Sequence, residues 1–266
     1  MRHELQFAAL LLTGIFVTGA AAPALLQAQV YTQPQSPPPE PLHTKPEKRP
    51  HSNIEWLWQY SPSQRQPNGN ENALIQDPRF LRFLQENLTA PQSFWGVTGT
   101  KYKPLADTAY DFLSVPNKVL ADDNRYLSIT GCVFHFCPSR GLLWVDLNQA
   151  PKNSSGPDHL VVFAATDWIR ESKASTEPGA EYTLWVFSNQ TFGLNPGDAH
   201  PIPSSLIGSI TRWTKEPLAG SGIVENITHA IVVDPDGTPH QVPLATLGVT
   251  TSNQQAEPTT PATEKP

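Results

Sequence analysis

The chain has 266 residues, a formal net charge of −6, 28 prolines and two cysteines. Its lysines and arginines are scattered rather than interleaved with aromatics, which argues against a nucleic-acid-binding surface. No segment reaches the about 20 consecutive apolar residues that a membrane-spanning helix needs.

Arg2 and His3 precede an apolar run from Phe7 to Val17 and then the small residues Gly19-Ala20-Ala21-Ala22. This is the order of a secretory signal peptide, assigned to residues 1–28, and it predicts a periplasmic or secreted protein. Export favours a bridge between Cys132 and Cys137, because disulfides persist in oxidising compartments. Residues 29–52 read as a proline-rich linker of extended polyproline character. Residues 53–250 form one domain of ordinary size, about 200 residues. The Thr/Pro/Gln/Glu-rich segment 251–266 has too little to bury and reads as a disordered tail.

Within the domain, Ile54-Glu55-Trp56-Leu57-Trp58-Gln59-Tyr60 puts Ile54, Trp56, Trp58 and Tyr60 on one face if extended; a short helix is the competing reading. Asp77-Pro78 opens a clear helix. Asp is a good N-cap, Pro suits the first helical position, and Phe80, Leu81, Leu84 and Leu88 follow at helical spacing. Strands are predicted at 126–130, 142–145, 160–164 and 182–187, which are rich in β-branched or aromatic residues and bounded by turn formers. Most connections are too short for parallel crossovers, so a meander is favoured. Residues 203–213 read as a further helix, and 230–233 with 241–244 as a hairpin about the turn Asp234-Pro235-Asp236-Gly237. The whole predicts an α+β fold: an antiparallel β-sheet meander with a few flanking helices and a protruding disulfide-closed hairpin loop.

That loop is Gly131-Cys132-Val133-Phe134-His135-Phe136-Cys137. A bridge there would hold His135 out on a short, stiff tip. Three other readings compete: a purely structural staple, a Cys/His metal site and a redox dithiol. Zinc usually takes four ligands, and His51, His159, His200, His229 and His240 are too scattered to complete a set. Redox pairs are typically Cys-x-x-Cys. The segment 234–237 lacks the acidic end of a calcium loop. Trp56, Trp58, Trp95, Trp144, Trp185 and Trp213 are candidates for a glycan groove, although tryptophans in strands usually belong to the core. No nucleophile elbow, phosphate-binding loop or zinc-hydrolase helix occurs. Asp107, Asp111, Asp146 and Asp167 have no spacing that marks a catalytic pair. The reading is therefore not an enzyme, with no cofactor and no metal.

The pattern Cys132-x-x-His135-x-Cys137, between a polar/apolar strand and an apolar one, resembles the signature loop of the Ivy-type inhibitors of vertebrate lysozyme. The resemblance covers roughly residues 78–190, including the helix at 80–87, Phe94-Trp95-Gly96, and strands at 142–145, 161–164 and 184–186. It implies a loop that enters the active cleft of a lysozyme, a basic glycoside hydrolase, with His135 meeting the catalytic carboxylates. It also implies a homodimer. The family's loop usually reads Cys-Lys-Pro-His-Asp-Cys, whereas here Val133, Phe134 and Phe136 stand around His135. Phe134 and Phe136 then read as apolar anchors in sugar subsites. The alternative function is a cell-envelope structural or interaction module, or a glycan-binding module, whose disulfide is only structural.

Overall fold

The computed structural model describes residues 54–92, 94–98, 101–148, 156–195 and 197–250. The segments read as signal peptide, linker and tail (1–28, 29–52 and 251–266) lie outside the described residues.

Glu55–Tyr60 is a 3-10 helix, which settles the competing readings of this segment. Ile54, Leu57 and Tyr60 are all buried, and a period of three suits a 3-10 face rather than a strand. After α1 (Glu71–Gln76), α2 (Pro78–Asn87) starts where the sequence predicts. The Asp77 side chain accepts from the Arg79 N–H at 2.8 Å, with Pro78 in the first turn. The Arg79 guanidinium and the Tyr60 hydroxyl also bond Asp77 and hold its carboxyl well below the usual range. A two-stranded ribbon, β1 (Val97–Thr98) and β2 (Lys101–Tyr102), leads into α3 (Leu105–Phe112).

The main sheet has seven strands in sequential order: β3 (Val115–Asp122), β4 (Tyr126–Val133), β5 (Phe136–Asp146), β6 (Val161–Trp168), β7 (Glu181–Ser188), β8 (Asn226–Val233) and β9 (Pro239–Gln241). The predicted antiparallel meander runs from β3 to β7. One pairing departs from it: β8 lies parallel to β7. The connection between them carries α4 (Ser204–Thr214) and is long enough for the crossover that parallel strands require. The hairpin predicted from 230–233 and 241–244 is β8–β9, but its second strand lies earlier, at Pro239–Gln241, and Leu244–Leu247 is a 3-10 helix.

Both faces of the sheet are covered. On one, Leu127, Ile129, Leu143, Val145 and Phe163 share a core with Phe80 and Leu84 of α2 and Ala109 and Phe112 of α3. On the other, Leu142, Trp144, Val162, Ala164, Leu184 and Val186 share a core with Leu206, Ile210 and Trp213 of α4. Double coverage explains why β5 and β6 read as continuous apolar runs rather than alternating ones. The β3 edge is partly closed, since the Val119 N–H donates to the Asn68 carbonyl at 2.8 Å. No helix among the described residues is long and apolar enough to cross a membrane.

Candidate functional site

The β4–β5 hairpin carries the loop. Val133 pairs with Phe136, leaving Phe134 and His135 as a two-residue tip. One step down β4, Cys132 pairs with Arg140, so Cys137, Pro138 and Ser139 form a bulge on β5. A bulge tolerates Pro138, which has no N–H for a ladder bond. Cys132 and Cys137 are joined in a disulfide with 4.8 Å between their Cα atoms. In this oxidised state both sulfurs are consumed, and neither offers the thiolate that a metal site requires.

The root of the hairpin is gripped from both sides of the sheet. Gly131 and Gly141 sit opposite each other, and the end of α3 lies against them. A Cβ on Gly131 would fall 2.9 Å from the Leu113 Cα, and one on Gly141 would fall 2.8 Å from the Phe112 Cβ. On the opposite face, Arg140 donates to Glu225 at 2.5 Å and to the Glu216 carbonyl at 2.9 Å, with its guanidinium 5.4 Å from the centroid of Trp213. Glu225 also accepts from the Thr166 hydroxyl at 2.8 Å. Burial, and after it the Glu225 charge, pushes the neighbouring Tyr182 phenol up. The tip has its own tether: the Phe134 N–H donates to the Ser114 hydroxyl at 3.1 Å, and that hydroxyl donates to the Asp111 carbonyl at 2.7 Å.

The predicted loop residues separate into two kinds. Phe134 is 64% exposed, the most exposed large apolar side chain among the described residues, and His135 is exposed beside it, their rings 3.8 Å apart. His135 has φ +62°, in the left-handed region that few non-glycine residues enter. Val133 is half-buried and packs on the core, while half-buried Phe136 turns toward Trp168, with 6.3 Å between ring centroids. The outward-facing knob is therefore Phe134 with His135. Of the tryptophans, Trp144 and Trp213 are buried in one core, and Trp56, Trp58, Trp95 and Trp185 pack at the margin of the other. No group of three or more His, Cys, Asp or Glu suited to a metal occurs among the described residues.

Residues around the loop that sequence reasoning missed are Ser114, Arg140, Glu225 and Trp168; Asp167 enters that reasoning only as a candidate member of a catalytic pair. Arg140 and Glu225 lack a local signal because each finds its charged partner 85 residues away, and Ser114 and Trp168 meet the loop only through the fold, at Phe134 and Phe136. Comparison of the chain with protein-family models, curated proteins and solved structures gave no match. The inhibitor resemblance accordingly rests on the loop and strand residues quoted above.

Proposed function

We propose that this chain is an exported inhibitor that blocks the active cleft of a lysozyme with the Cys132–Cys137 tip. The observation that carries the reading is an exposed Phe134–His135 pair at the end of a hairpin closed by a disulfide. Such a tip has little freedom left to lose on docking, which lowers the ordering cost of association. Glycoside hydrolases commonly place one protonated and one ionised carboxyl in the cleft. An imidazole donates to one and accepts from the other, and an imidazolium donates to both. Phe134 supplies the apolar anchor, the role that central aromatics play in other interfaces. The net charge of −6 suits encounter with a basic enzyme.

The test is lysozyme clearing of bacterial cells in the presence of the oxidised protein. Phe134→Ala and His135→Gly should each weaken inhibition about 30-fold or more, the effect of losing a hot spot worth about 2 kcal/mol. Glycine accepts the left-handed backbone at residue 135, so that variant removes the imidazole without adding strain. Equal inhibition by parent and both variants overturns the tip mechanism. No inhibition of any lysozyme by the parent leaves the envelope-module alternative.

A further inference from the structure

Beside the tip, β6 runs on past its pairing with β5. The β5–β6 ladder ends at Arg140 and Thr166, so Asp167 and Trp168 are held by β7 alone, opposite Thr183 and Tyr182. Where the β5 bulge leaves the ladder, a cleft of about 330 Å³ opens, lined by Trp95, Phe136, Asp167, Trp168 and Arg170. Its walls are held in place. Buried Gln92 accepts from the Phe94 and Trp95 N–H groups and donates to the Trp95 carbonyl at 3.0 Å. The Trp168 indole N–H is committed to the Lys173 carbonyl at 2.8 Å.

We propose that this cleft receives a guanidinium or ammonium side chain of the partner protein, seated among the rings of Trp95, Phe136 and Trp168 with its charge on the Asp167 carboxylate. The inference takes from the inhibitor reading only the identity of the protein that presents the side chain. Phe136 belongs to both the tip and the cleft, so a partner that engages Phe134 and His135 also lies over this opening.

Three observations favour a cation. Three aromatic rings attract positive charge, most strongly where water is excluded. Asp167 has no side-chain cation bonded to it: its carboxyl accepts from the Trp168 backbone N–H, and exposed Arg170 acts on it through charge alone. Burial outweighs that attraction and pushes the carboxyl up to about 6. A guanidinium or ammonium needs one carboxylate and the rings. The volume also lies at the low end for ligand sites, which suits a single inserted side chain.

The experiment is titration of the oxidised protein with acetyl-arginine-amide, followed by the indole N–H resonances of Trp95 and Trp168. Acetyl-citrulline-amide serves as the isosteric neutral control and N-acetylglucosamine as the sugar control. The arginine probe should shift both resonances in a saturable manner, the citrulline probe should not, and Asp167→Asn should weaken the effect about tenfold, as removal of one partner of a charge pair does. Saturation by the sugar with no response to arginine overturns the inference in favour of a glycan subsite. No response to any probe overturns it outright. The outcome is separable from the inhibitor reading, because a protein that takes the arginine probe yet leaves every lysozyme untouched keeps the cleft and loses the target.

Discussion

Glu225→Gln tests whether the hairpin root is held by charge. Side-chain exposure is 8% for Arg140 and 0% for Glu225, and their N–O distance is 2.5 Å. Glutamine keeps the shape and one acceptor for the Thr166 hydroxyl, but it leaves the Arg140 guanidinium buried opposite a neutral amide. Removing one partner of a buried pair costs about 3–5 kcal/mol, because the remaining charge is left without compensation. The retained amide oxygen places the expected loss near the lower end, about 3 kcal/mol. In a domain of this size that lowers the melting temperature by about 10 °C. Thermal and urea unfolding of the oxidised protein would measure it. The double replacement Arg140→Met/Glu225→Met should recover much of the loss, since an apolar pair has no charge to desolvate. A Glu225→Gln protein within about 0.5 kcal/mol of the parent, the range of ordinary surface changes, would refute the argument.

Asp167 carries a pH-dependent prediction. Its folded carboxyl is pushed up to about 6 by burial, against an unfolded value of 3.8. The folded state therefore holds the proton more tightly, and stability falls as pH rises from the unfolded value through the folded one. The full shift would correspond to about 3 kcal/mol, reduced to about 1–2 kcal/mol by solvent reaching the partly exposed group. Asp167→Asn should accordingly stabilise the protein by about 1–2 kcal/mol near pH 8 and change little near pH 4, measured by urea unfolding at both. An equal effect at the two pH values would contradict the assignment. Gly141→Ala should cost about 1–3 kcal/mol through overpacking, since its Cβ would meet Phe112 side chain and backbone at 2.8 and 2.9 Å. Unchanged thermal stability would show that α3 does not press on the hairpin root.

Legibility in the sequence follows the distance over which each feature is specified. The α2 start is written in Asp77-Pro78 and the apolar spacing after it, and its cap bonds span two residues. The central strands are legible because burial on both faces demands apolar residues along 142–145 of β5 and 161–165 of β6. β3 was not legible: Pro116, Asn117 and Lys118 are poor strand formers, and its place depends on pairing with β4. α3 has its apolar positions at helical spacing, but the run is short. Its importance comes from where its end lies, on Gly131 and Gly141.

The sequence by itself determined the loop: two cysteines, a histidine and two phenylalanines are contiguous, and flanking strands make a hairpin of them. Tertiary structure alone decided which of these side chains face outward. It buried part of Val133, turned Phe136 toward Trp168 and left Phe134 and His135 free. It alone also assembled the surroundings, since Arg140 and Glu225 lie 85 residues apart and the cleft draws on separate segments around Trp95, Phe136 and Asp167. The physical reason is that hydrogen-bond caps, turns and a short disulfide act over a few residues. Burial and charge pairing depend on which strands and helices are laid side by side, and no single segment encodes that.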